Sequence, residues 1–136
     1  MTKKKTWIEK RDLEKKPEVK RIEKDFADIP AGSTMLIPTP QLVNEFIKSI
    51  SKGRSLDIKT IRKELAQEHG AEYTCPVTTG IFLRIVAEAA FEELQNGKNI
   101  EAITPFWRVI DPRSTLAEKL SFGRELLLEM REKEDF

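Results

Sequence analysis

The chain holds one cysteine, Cys75, and one histidine, His69, in 136 residues. A lone cysteine cannot close an intramolecular disulfide, so a reducing, cytoplasmic setting is expected. One Cys and one His also fall short of a zinc ligand set, and nothing else asks for a cofactor. His69 falls near the end of a helical stretch, where an imidazole favours the helix dipole. No apolar run approaches the ~20 residues of a membrane span. The basic segment Met1–Lys5 is followed by no apolar stretch, so no secretory signal is expected. Internal repeats and low-complexity tracts are missing too. What remains, 39% hydrophobic and 35% charged, suits one globular domain with a real core.

The net charge of +1 hides an uneven distribution. Residues 1–25 carry ten Lys/Arg against six Asp/Glu, and the other 111 carry 14 against 17. A slightly acidic body is a poor general binder of nucleic acid. One stretch breaks that trend: Lys48, Lys52, Arg54, Lys59, Arg62 and Lys63 face a single acid, Asp57. The set reads either as phosphate contacts, which would make binding strongly salt-dependent, or as an ordinary solvated face.

Periodicity places three helices. Thr39 caps the first, Pro40 suits its first position, and Leu42, Val43, Phe46, Ile47 and Ile50 share a face before Gly53 stops it. Asp57 caps the second, which runs to about Glu68 before Gly70 and buries Ile58, Ile61 and Leu65. Two short helices joined through Lys52-Gly53-Arg54 suit the front of a helix-turn-helix. A third, unusually apolar helix spans about Thr79 to Leu94 and closes at Asn96-Gly97. Met35-Leu36-Ile37 is a short apolar segment. Thr104–Ile110, aromatic and β-branched, reads as a short strand or extended loop. A last helix covers about Phe122 to Lys133. Residues 1–30 read as a charged arm, extended or partly helical and packed by one side on the body, or else disordered.

The segment Thr104-Pro105-Phe106-Trp107-Arg108-Val109 resembles the Pro-Cys-His-Arg-Val active-site motif of the alkylguanine-DNA alkyltransferases. Ile50-Ser51-Lys52-Gly53-Arg54 resembles that family's interhelical link, and Asp57–Ile61 the start of its second helix. Thr78–Ile81 resembles the head of its recognition helix. Phe122-Gly123 and Leu126–Leu128 resemble its terminal turn and helix. The resemblance covers residues 38–134 and extends to the non-enzymatic alkyltransferase-like proteins. It is nearest to a bacterial branch with Cys-Pro-Ile/Val-Thr-Thr-Gly-Ile-Phe (here Cys75–Phe82) and Thr-Pro-Tyr/Phe-Trp-Arg (here Thr104–Arg108). The resemblance implies a mainly α, winged-helix-like domain over 31–136, with a helix-turn-helix and a short strand or wing. It implies double-stranded DNA as partner and modified bases as the feature sensed.

The departures bear on chemistry. Phe106 replaces the family's alkyl-accepting cysteine and Trp107 its histidine, and neither ring can act as a nucleophile or a base. Ile58 replaces a tyrosine that rotates the target phosphate. Thr79 is the nearest counterpart of an intercalating arginine, with Arg84 a turn later. The expected protein is therefore no enzyme. Lys48 to Lys63 would hold phosphates, Thr79 and Arg84 would contact DNA from the recognition helix, and Pro105, Phe106, Trp107 and Arg108 would line a pocket. The alternative for that last segment is two aromatics plugging the core, with Arg108 paired to a carboxylate or a helix C-terminus. Cys75 reads as a buried packing residue or a cryptic thiol nucleophile. A second reading of the whole chain keeps the fold without DNA contact, as an interaction module with residues 1–30 facing a protein partner.

Overall fold

The computed structural model describes residues 5–136, which build a mainly helical fold around a small three-stranded sheet. Strand β1 (Glu18–Arg21) lies antiparallel to β2 (Thr34–Ile37), with Val19 opposite Leu36. Strand β3 (Tyr73–Thr74) joins the other edge of β2 in parallel, with Leu36 opposite Thr74. The apolar Met35-Leu36 pair is thus the buried centre of the sheet.

Helix α1 (Trp7–Arg11) precedes the sheet and begins with a capping box between Thr6 and Glu9. Glu92 accepts from the Trp7 and Ile8 amides at 3.0 and 3.2 Å, and Arg11 pairs with Glu93. Residues 7–11 are therefore docked on the body and residues 18–21 belong to its sheet. A boundary at residue 30 cuts between β1 and β2, which hydrogen-bond across it.

Helix α2 (Pro40–Lys48) starts where its cap dictates: the Leu42 amide donates to Thr39 Oγ1 at 3.1 Å. Gly53 turns the chain at φ +85, a conformation that suits a residue without Cβ. Helix α3 (Ile58–Glu68) is capped by Asp57, which accepts from the Thr60 amide at 2.8 Å. At its far end His69 Nδ1 lies 3.1 Å from the Leu65 carbonyl.

Helix α4 (Pro76–Gln95) is the central beam and begins three residues before the Thr79 expected from sequence. Leu83, Val86, Ala87 and Ala90 on it are fully buried. They form one core with Val43 and Ile47 of α2, Ile61 and Leu65 of α3, and Leu127. Each such leucine or isoleucine contributes about 1.5–3 kcal/mol by leaving water. Two short helices close the chain, α5 (Thr115–Lys119) and α6 (Glu125–Lys133), the latter three residues later than expected. Among the described residues no helix is long and apolar enough to cross a membrane.

Candidate functional site

Thr104 to Ile110 does not form a strand. Phe106–Arg108 is a single 3-10 turn, closed by the Arg108 amide on the Pro105 carbonyl and the Val109 amide on the Phe106 carbonyl, both 3.1 Å. The sheet is built from residues before 75, and this backbone is satisfied instead by its own turn, by the Leu56 amide on the Arg108 carbonyl at 2.9 Å and by Arg131 on the Trp107 carbonyl at 2.8 Å. The turn sends both aromatic rings inward. Phe106 is 0% exposed and meets Trp107 and Phe122 edge-on, with ring centroids 5.3 and 5.5 Å away. Its expected role in a pocket wall is corrected: a ring sealed in the core can touch no ligand.

Trp107 and Arg108 converge on a residue that sequence reasoning missed. Glu134, at the C-terminal end of α6, accepts from the Trp107 indole N–H. It also accepts from Arg108 Nε at 2.9 Å, Arg108 Nη2 at 3.2 Å and the Gly53 amide at 2.8 Å. Arg108 Nη1 reaches on to the Ile50 carbonyl at the end of α2, 2.7 Å away. The Glu134 side chain is only 2% exposed. Burial alone would raise its pKa, but the hydrogen bonds from Arg108, Gly53 and Trp107 and the guanidinium charge outweigh it and hold it below the usual carboxylate range. Arg108 thus pairs with a carboxylate and also serves a helix C-terminus. No motif singled out Glu134. One acid among 23, near the chain end, carries no local signal.

Beside this clamp lies a cleft of about 520 Å³ that Pro105, Trp107 and Arg108 line together with Lys48 and Lys52. Ile100, Ile103 and Met130 form its apolar part, and Lys133 adds a further cation at the rim. Five of the expected site residues therefore meet in one concavity. Arg108 uses three N–H groups on Glu134 and Ile50, leaving two of its five free to donate.

The rest of the basic set lies elsewhere. Lys59, Arg62 and Lys63 line a separate hollow of about 340 Å³ beside Tyr73 and Thr74. Lys59 and Lys63 are exposed there, as is Arg54 in the interhelical turn. Arg62 is not a free cation. Its Nη atoms donate to both Asp28 oxygens at 2.9 and 2.8 Å, and its Nε to the Thr74 carbonyl at 3.0 Å. It fastens α3 to β3 and to the β1–β2 connection, and it holds Asp28 below the usual carboxylate range. With its side chain 12% exposed, Arg62 is corrected from phosphate contact to strut.

The recognition-helix residues are also redistributed. Thr79 is completely buried and its hydroxyl donates to the Cys75 carbonyl at 2.7 Å, so it cannot reach DNA. The reason is helical phase: Thr79 shares the inward face of α4 with Leu83 and Val86, whereas Val77 and Ile81 turn outward. Arg84 is half-buried, with its guanidinium 5.3 Å from the Trp7 ring centre and its Nε 3.7 Å from Glu88. Cys75 is buried among Ile29 and Met35. Among the described residues no His/Cys/Asp/Glu group is arranged to hold a metal. Comparison with protein-family models, with curated proteins and with solved structures finds no match to this chain.

Proposed function

We propose that this chain is a non-catalytic DNA-binding protein with a winged-helix-like fold, related to the alkyltransferase-like proteins and engaged with modified bases in DNA repair. The observation that carries the reading is the cleft that Lys48, Lys52 and Lys133 line together with Trp107 and Arg108, against the acids Glu101 and Glu134. Cations at the rim suit phosphate oxygens, and the free Arg108 donors with the apolar wall suit a planar, polar-edged ligand. Lys59 and Lys63 of α3 add a second, separate pair of exposed cations for phosphates. Catalysis is set aside because the motif's two chemical positions hold a sealed phenyl ring and an indole whose N–H is committed to Glu134. The buried free thiol of Cys75 suits a reducing cytoplasm.

Electrophoretic mobility shift on plain and alkylguanine-containing duplexes tests this. A shift is expected at low salt, weakening as salt rises. The Lys48→Ala/Lys52→Ala pair should flatten the dependence of log K on log[salt] by about 0.9 per lost phosphate contact. No shift at low salt ends the proposal.

A further inference from the structure

The outward front of α4 is apolar where a DNA-reading helix needs hydrogen-bonding side chains. Val77 and Ile81, one turn apart, are 53% and 52% exposed. They border a groove of about 690 Å³ between α1, α4 and α5, to which α3 adds one residue. Its apolar lining continues through Ile85 on the same helix, Trp7 of α1, Ile58 of α3 and Leu116 of α5. Three cations complete it, Lys10, Arg84 and Lys119, and no acidic side chain lines it. That imbalance is unusual in a body where Asp and Glu outnumber Lys and Arg beyond residue 25.

Two of the three cations have no acidic partner among the described residues. Neither Lys10 nor Lys119 is ion-paired among the described residues. Lys10 Nζ rests 4.3 Å from the Trp7 ring centre. Arg84 is ion-paired with Glu88 of its own helix at 3.7 Å, and its buried Nε makes no hydrogen bond. A groove whose floor is apolar and whose charge has one sign selects an occupant that is apolar on one stripe and acidic beside it. Its walls are helices whose backbone groups already bond within the helix, so a strand cannot be added by main-chain pairing. Helix-in-groove docking remains.

We infer that the α1–α4–α5 groove is a docking site for an acidic amphipathic helix of a partner protein. Its apolar stripe covers Val77 and Ile81, and its carboxylates meet Lys10, Arg84 and Lys119. The N-terminal segment acts in this site through Trp7 and Lys10, which α1 holds in place by its contacts with Glu92 and Glu93. The site is separate from the Lys48–Arg108 cleft, so the two can be tested independently.

The test uses the isotopically labelled full chain and two synthetic helical peptides, observed through amide chemical shifts. Both carry leucines at i, i+4 and i+7; one flanks them with glutamates, the other with lysines. The glutamate peptide should move the amides of residues 77–85 and 116–119, and the lysine peptide should not. Ile81→Asp, at an exposed position that leaves the fold intact by far-UV circular dichroism, should abolish the shifts. The Lys10→Glu/Lys119→Glu pair should weaken binding roughly tenfold or more. Silence with both peptides, or equal binding of both, overturns the inference. So does displacement of the glutamate peptide by duplex DNA, which would make this face a nucleic-acid surface. Shifts at residues 77–85 on dilution without peptide would assign the groove to a second copy of the chain and overturn it likewise.

Discussion

Glu134→Ala removes one carboxylate from three donors, the Gly53 amide, the Trp107 indole and the Arg108 guanidinium, of which only Arg108 keeps another acceptor, the Ile50 carbonyl. Breaking a buried ion pair from one side costs about 3–5 kcal/mol. Arg108 keeps its bond to the Ile50 carbonyl, which places the cost near the low end, about 3 kcal/mol. Glu134→Gln should lose about 2 kcal/mol. A carboxamide has a single oxygen, so its NH2 must face donors, either Gly53 and Arg108 Nε or Trp107 and Arg108 Nη2. The sign of the pH effect follows from the lowered Glu134 pKa. Its contribution is fully present above the ordinary glutamate value near 4.5 and is lost as pH falls through the lower folded value. The stability gap between the parent and Glu134→Gln should therefore close below about pH 4.5. Urea unfolding followed by far-UV circular dichroism and by Trp fluorescence measures each quantity. In a double-mutant cycle with Arg108→Leu, the paired loss should fall short of the sum by about 2 kcal/mol. An alanine variant within about 1 kcal/mol of the parent, or strict additivity in the cycle, refutes the clamp.

Phe106→Cys restores the thiol of the resembling motif, yet it should give no alkyl transfer from an alkylguanine oligonucleotide. It should instead destabilise by about 3–5 kcal/mol, because a fully buried ring leaves a cavity; transfer with an unchanged melting temperature would contradict this. Arg62→Ala should lower stability by about 1.5–3 kcal/mol through its lost bonds to Asp28 and Thr74, while Lys63→Ala leaves melting unchanged and weakens DNA binding at low salt. The reverse pattern in melting and mobility-shift assays would return Arg62 to the phosphate-contact set.

The helices with local start and stop signals were legible from sequence. Thr39 with Pro40, Asp57, and the Asn96-Gly97 stop act within a few residues, so their physics is written in order along the chain. Elements fixed by distant partners were not. Glu18–Arg21 is wholly exposed and shows no apolar alternation; only pairing with Met35-Leu36 makes it a strand. Helix α1 is five residues long, too short to hold alone, and depends on carboxylates more than eighty residues away. Helix α5 has a local cap in Ser114, whose Oγ accepts from the Ala117 amide at 3.2 Å, but Asp111-Pro112-Arg113-Ser114 reads in sequence as a turn.

The candidate site was half legible for the same reason. Sequence gave residue types, and the fold decided which atoms stayed free. Thr79 was misplaced by helical phase: α4 begins at Pro76, and its most apolar helix face and its outward face both carry hydrophobic side chains, so periodicity could not say which turned inward. Trp107 and Arg108 share a cleft with Lys48 and Lys52, a proximity that residues about sixty positions apart do not show in sequence, and their main polar bonds go to Glu134 rather than to open space. That bond set gives every residue of the Thr-Pro-Phe-Trp-Arg segment but Pro105 a structural task. Thr104 donates to Asn44 on α2, Phe106 fills the core, Trp107 reaches the end of α6, and Arg108 joins α6 to the end of α2. A segment that ties α2, the interhelical turn and α6 together is constrained by the fold at each of these positions. Its shape is therefore set by packing, and any DNA-binding role must be carried by the groups around it: Lys52, the two unused donors of Arg108 and the exposed Lys48, which stands 4.0 Å from Glu45.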